Sequence, residues 1–163
     1  MHSSPSMKIR QYQPADHDAV WELHNLGLNQ MGAHLGNGSW DDDLHRIPDD
    51  YVNGGGEFLV GTVGGRIVAM GALKKRTDTI GEIRRMRVHP DYQRRGYGQA
   101  VLSALEQRAR ELGFADLRLD TTTRQVPAQE LYEKNGYREK ERGRVGPFEV
   151  IFYEKRLSGG SPA

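Results

Sequence analysis

At 163 residues, with 23 lysines and arginines against 22 aspartates and glutamates, the chain can bury about two-thirds of its unfolded surface as one domain. Its charges nearly cancel, so no global field selects nucleic acid or an anionic membrane. The lack of cysteine excludes disulfides, thiolate metal sites and cysteine nucleophiles, and suits a cytoplasmic protein.

Segment 1–7 is short and polar, without the apolar centre of a signal peptide, and is expected to be flexible. No window approaches the roughly 20 apolar residues of a membrane span. Residues 8–12 alternate as a first strand. Pro14 and Asp16 open a helix to about residue 29, with Val20, Leu23 and Leu26 as its apolar stripe. Residues 32–56 are loop-rich, with Trp40, the acidic run Asp41, Asp42 and Asp43, and a helical turn suggested by Leu44 and Ile47. Residues 58–62 and 67–73 flank Gly64-Gly65 as an antiparallel hairpin. Residues 80–88 form the next strand, ended by Pro90. Residues 98–112 form the clearest helix, with Val101, Leu102, Leu105 and Ala109 at helical spacing and Gly113 as its stop. A strand at 116–120, a helix at 126–134 stopped by Asn135-Gly136, and strands at 137–141 and 148–155 complete the pattern. The tail 158–163 reads as disordered. This order predicts an α+β domain over 8–157, with a mixed, mostly antiparallel sheet and helices on both faces.

The most informative stretch is Glu82 to Gly98. A strand enters a loop whose Gln93, Gly96 and Gly98 open the long helix. Unpaired amides at a helix start, with the positive end of its dipole, make an anion cradle suited to a diphosphate. A dinucleotide fingerprint fails, because its third glycine or alanine would fall at Val101, and no G-K-[ST] follows for a Walker loop. The loop by itself does not name the molecule.

Gln93-Arg94-Arg95-Gly96-Tyr97-Gly98 resembles the [Q/R]-x-x-G-x-[G/A] acetyl-CoA motif of the GCN5-related N-acetyltransferases, the GNAT family. Ala128-Gln129-Glu130-Leu131-Tyr132-Glu133-Lys134-Asn135-Gly136-Tyr137 resembles that family's A-x-x-L-Y-x-x-x-G-[FY] block, in the right order and at the right separation. The resemblance implies a central sheet of six to seven strands flanked by about four helices. It also implies an acetyl-CoA co-substrate, no metal, and often a homodimer. Main-chain groups at Met86, Arg87 and Val88 would pair with the pantetheine arm, and amides of Gln93, Arg94, Arg95, Gly96, Tyr97, Gly98 and Gln99 would hold the pyrophosphate. Gln125 stands where relatives often carry a cofactor-binding asparagine.

The implied chemistry is acetyl transfer to a primary amine of a small molecule, amino acid or peptide. Glu82, fourteen residues before Gly96, resembles the strand glutamate that some members use as general base. Arg84, two residues on, would weaken it by depressing its pKa. Tyr132 matches the tyrosine placed near the CoA sulfur, a phenol able to protonate a thiolate. A non-catalytic acyl-CoA sensor of the same fold is the alternative.

For the acceptor, Asp41, Asp42, Asp43, Asp49 and Asp50 suit a cationic amine, with Trp40 or Tyr51 as an apolar wall. A solvated acidic loop is the commoner reading of such a run. Arg84, Arg85, Arg87 and Arg144 suit a substrate carboxylate instead. The basic run at 74–76, with Arg84 to Arg87, lacks interleaved aromatics for nucleic acid and reads as a solvated hairpin end.

Overall fold

In a computed structural model of the chain, residues 6–30 and 38–157 are described. Expectations for segment 1–7, apart from its last two residues, and for the tail 158–163 lie outside them. Seven strands form one sheet in the order β1-β2-β3-β4-β5-β7-β6: β1 (Lys8–Gln11), β2 (Glu57–Val63), β3 (Arg66–Lys75), β4 (Ile80–Val88), β5 (Asp116–Thr122), β6 (Arg138–Val145) and β7 (Phe148–Arg156). The β4–β5 pair is parallel and every other neighbouring pair antiparallel. The helices are α1 (His17–Gln30), α2 (Tyr97–Glu111) and α3 (Val126–Lys134), with a further helical stretch through Ser39–His45 and Pro48–Val52. Among the described residues no helix is long and apolar enough to cross a membrane.

Alternation along the central strands sends successive side chains to opposite faces. Leu73, Ile83, Leu117 and Leu119 meet Leu102 and Leu105 of α2 on one face. Phe58, Val60, Met70 and Ala72 meet Val20 and Leu23 of α1, with Leu44, Ile47 and Tyr51, on the other. Each fully buried side chain of this kind stabilises the fold by about 1.5–3 kcal/mol. Glu106 interrupts the apolar face of α2. It is buried but satisfied, accepting from the Tyr137 hydroxyl at 2.8 Å and the Lys155 ammonium at 2.9 Å.

The positions of the site residues depend on β4. Met70 pairs with Arg87 and Ala72 with Arg84, so Gly71 alone faces two residues, Arg85 and Met86. This is a β-bulge, and Arg85 takes the left-handed conformation at φ 58°. A side chain at Gly71 would have no room, because a Cβ there would lie 2.5 Å from the Met86 Sδ and 2.8 Å from Leu105 and Val101.

The bulge drives Arg85 into the α1 face, where it donates to both Asp43 oxygens at 2.6 and 3.0 Å and to Asp41 at 3.4 Å. His24 of α1 hydrogen-bonds Asp41 at 3.0 Å, and the Tyr51 hydroxyl donates to Asp43 at 2.5 Å. Asp41 and Asp43 are buried at 2 % and 8 % exposure. The reading of a solvated acidic run is therefore corrected, and only Asp42 of the three is exposed. Tyr51 is wholly buried, not a wall of an open pocket. Burial alone would raise the Asp43 carboxyl, but the Arg85 guanidinium outweighs it and holds Asp43 below the usual carboxylate range.

Gly71→Ala is expected to destabilise by about 1–3 kcal/mol through overpacking at the bulge, seen as a fall of a few degrees in the thermal midpoint. An unchanged midpoint would mean that Met86 moves aside freely. A second expectation concerns pH. Burial, then the charges of Arg87 and Arg85, pushes the His24 imidazole down to about 4 against the opposing pull of Asp41, whereas an unfolded imidazole titrates near about 6.5. Between those values the unfolded chain binds a proton that the folded chain refuses, so stability falls as pH drops from about 6.5 to about 4. Asp43, with its depressed folded value, adds its own loss only below the unfolded carboxylate value of about 3.9. Urea unfolding at pH 7.5 and pH 5 measures the first effect, and His24→Gln should flatten it.

Candidate active site

β4 and β5 pair only from Ile80 to Glu82 against Asp116 to Arg118, although β4 runs on to Val88 and β5 to Thr122. Beyond Glu82 the two strands separate, and one edge of β4 is left without a β5 partner. A groove of about 580 Å³ opens there, within the size range of ligand sites.

The sequence-predicted residues gather around it. Met86, Arg87 and Val88 line the groove from β4. Gln93, Arg94, Gly96, Tyr97, Gly98 and Gln99 line it from the loop and the start of α2, and Gln125 and Tyr132 from the segment after β5. Arg95 does not line the groove; its guanidinium lies 5.2 Å from the centre of the Tyr92 ring.

Gly96 holds φ 81° at the N-cap of α2, with no side-chain cap over the first amides. Those donors are therefore left for a ligand, at the positive end of the helix dipole. Gly98 differs. A Cβ there would make only ordinary contacts of 3.6 Å with Leu131 and Val88, so packing does not require glycine at that position. Gln99 and Asn135 exchange two side-chain hydrogen bonds of 2.8 Å, tying the start of α2 to the end of α3 across the groove. The Gln125 Oε1 accepts from the Thr121 hydroxyl at 2.9 Å and from Thr122, fastening the turn that leads into α3.

Tyr132 is 5 % exposed. Burial pushes its phenol up to about 12; the Arg87 charge works against this shift and Asp120 adds to it. The hydroxyl is therefore fully protonated at neutral pH, the form a proton donor needs.

Glu82 lies on the α1 face of β4, engaged by neighbours. The Arg76 guanidinium donates to its Oε1 through Nη2 and, at 2.9 Å, through Nε. Arg84 stands 3.7 Å from the same oxygen. The expected Arg84 contact is present, but Arg76 holds Glu82 more closely. This also alters the reading of the 74–76 run as a solvated end, since Arg76 is paired and the Lys74 ammonium lies 5.8 Å from the Tyr51 ring centre.

The acidic residue that sequence reasoning missed is Asp120. Glu82 is in register with Arg118, so Asp120, two positions on, shares the sheet face of Glu82 where the strands begin to part. Both carboxylates line a cleft with Lys140 and Tyr153. Asp120 retains solvent access, yet partial burial, then the charge of Glu82, raises its carboxyl above the ordinary value. Among the described residues no cationic side chain pairs with it. The alternation of Asp116, Arg118 and Asp120 was visible in the sequence, but the parallel register that sets Asp120 diagonal to Glu82 was not.

Relatives carry the same architecture. A profile of the acetyltransferase (GNAT) family matches residues 18–137. An IAA acetyltransferase of Azospirillum brasilense is 35 % identical over 105 residues, 61 % of this chain and 67 % of that protein. A GNAT-family acetyltransferase from Staphylococcus aureus superposes with a TM-score of 0.86 at 20 % identity, covering 94 % of this chain and all of that one. YncA, a putative acetyltransferase from Salmonella typhimurium solved with acetyl-CoA, superposes at 0.76 and 19 % identity, over 97 % and 98 % of the two chains. The chain belongs to the GNAT family of acetyltransferases.

Proposed function

We propose that this protein transfers an acetyl group from acetyl-CoA directly to a primary amine. The observation that carries this reading is the groove where β4 and β5 part, lined by a helix-start anion cradle and by buried Tyr132; Glu82 and Asp120 line a neighbouring cleft, from which the Asp120 charge acts on Tyr132. The residues fit the co-substrate. Uncapped amides around Gly96 suit a pyrophosphate, and the unpaired edge of β4 offers N–H and C=O groups to an amide-bearing arm, as an added strand would. The room left by a glycine at 98 that packing does not require points the same way.

The amine enters from the α1 face as an ammonium. A carboxylate takes its proton, directly or through water; the nitrogen then attacks the thioester carbon, a C–N bond forms and the C–S bond breaks. Tyr132 donates its hydroxyl hydrogen to the departing sulfur. The second proton shed by the nitrogen restores the Tyr132 phenol through water, so that one proton in all is released to solvent. Glu82 and Asp120 share the base role, and the Arg76 and Arg84 contacts on Glu82 make Asp120 the freer acceptor.

Acetyl-CoA should raise the thermal midpoint by mass action and release free thiol when a suitable primary amine is added. Stabilisation without thiol release across amines, amino acids and short peptides would instead favour the sensor reading. Tyr132→Phe should lower kcat by about 100-fold or more while leaving acetyl-CoA affinity near wild type. A variant as fast as wild type would remove the tyrosine from the reaction. The raised Asp120 carboxyl places the acid limb of kcat/KM above the ordinary aspartate value of about 3.9, because below that limb it is protonated and cannot accept. Asp120→Asn should abolish the limb and Glu82→Gln should only displace it; the reverse pattern would return the role to Glu82.

A further inference from the structure

Four arginines were candidates for a substrate carboxylate, and three have other engagements. Arg85 is taken up by Asp43 and Asp41. Arg84 lies between Glu82 at 3.7 Å and Asp43 at 4.0 Å. Arg144 is exposed on β6, where it donates to the Pro147 carbonyl at 3.3 Å. Arg87 is different. One guanidinium nitrogen donates to the Met86 carbonyl at 2.7 Å, while its Nε is shut off from solvent with no hydrogen-bond partner. No carboxylate is ion-paired with it among the described residues. Arg87 is half-buried at the edge of the groove, and a guanidinium whose Nε is buried and unpartnered is costly unless something anionic completes it.

Its position says what that anion serves. Arg87 is in register with Met70, whose side chain belongs to the α1-side core, so it rises on the acceptor face of β4. It nevertheless borders the groove beside Tyr132, and its charge is felt by both Tyr132 and His24. Arg87 therefore stands at the seam between the acceptor face and the thioester position, with Asp120 also close enough to bias Tyr132.

We propose that Arg87 binds the carboxylate of the acceptor, and that the acceptor is a free amino acid whose amine sits on the carbon next to that carboxylate. The proposal rests on the acetyl-transfer reading. A guanidinium and a free carboxylate on one floor complement the two charges of a zwitterion: the carboxylate anchors on Arg87 and the ammonium turns toward Asp120. With a single carbon between the two groups, anchoring one beside Tyr132 delivers the other to the thioester. The guanidinium keeps its charge for this role, since burial and Arg85 bring its pKa down only to about 10.

The test compares amino acids with their primary amides as acceptors: glycine with glycinamide, L-alanine with L-alaninamide, L-methionine with L-methioninamide, and L-phenylalanine with L-phenylalaninamide. Wild type should favour at least one acid over its amide by about 100-fold in kcat/KM, the scale of a desolvated charge-assisted pair. Arg87→Gln should bring that ratio close to one, and Arg87→Lys, which keeps charge without the fork, should leave an intermediate ratio. Stabilisation of each variant by CoA controls for folding. Equal use of acids and amides by wild type would overturn the proposal. So would a ratio unchanged in Arg87→Gln, or an equal loss of kcat on both acceptor types, which would assign Arg87 to the departing thiolate. Turnover of other amines with none of these acids would also overturn it while leaving acetyl transfer intact. Failure of acetyl-CoA to stabilise the wild type would sink the acetyl-transfer reading itself, and this inference with it.

Discussion

The bulge at Arg85 is the constraint on which the site depends. An extra residue in β4, held at φ 58°, breaks the alternation between Arg84 and Arg85, which both reach Asp43 on the α1 face, and resets the register of the residues that follow. Met86 goes to the α2 core, where it meets Gly71, while Arg85 and Arg87 both turn to the α1 face. A non-glycine residue in the left-handed region costs on the order of 1 kcal/mol or more. Here the bidentate contact of Arg85 with Asp43, reinforced by Asp41, over-determines the strained conformation. Past the last β4–β5 pair at Glu82, the strand diverges from β5 and leaves its edge to the groove.

The same contact fixes the segment packed over the α1 face of the sheet. Segment 38–52 is built of short helical turns, Ser39–His45 and Pro48–Val52, and a buried connection of this kind must satisfy its polar groups. It does so through Asp41 and Asp43, which reach His24 on α1, Tyr51 within the segment and Arg85 on β4. Such a network contributes little net stability over a well-packed apolar one, but removing a single member leaves an uncompensated buried charge worth about 3–5 kcal/mol. The arrangement therefore specifies position more than it adds stability: α1, the loop and the bulge must sit together or not at all.

Periodicity and turn chemistry carried much of this fold. β4 and α3 have the bounds that the sequence indicated, because Pro90 and Asn135-Gly136 punctuate them strongly. The anion cradle was equally visible in Gly96 and Gly98. What stayed hidden was pairing across the chain. Nothing local distinguishes an acidic run that is solvated from one that meets Arg85 and His24 across 42 and 17 residues. The partners that satisfy buried Glu106, Tyr137 and Lys155, lie 31 and 49 residues away along the chain. Likewise, the relation of Glu82 to Arg76, rather than to Arg84 alone, depends on how β3 turns back along β4. Asp120 was overlooked because its value comes from the register of a parallel pair, which sequence spacing does not encode.

The charges around Tyr132 bear on how a phenol near 12 can serve a thiolate. An ordinary thiol has a pKa of about 8.5, so full transfer from an unassisted Tyr132 would run uphill by several kcal/mol. Two neighbours act on that phenol in opposite senses: Arg87 lowers its pKa and Asp120 raises it. In the proposed reaction Asp120 accepts the ammonium proton and loses its charge before the sulfur departs. The Asp120 contribution to the raised phenol, smaller than those of burial and Arg87, then disappears, while the lowering influence of Arg87 persists. Proton uptake on one side of the opening thus strengthens the acid on the other at the step that requires it. This link between the two ends of the proposed reaction is electrostatic and acts on a phenol buried where charges are poorly screened.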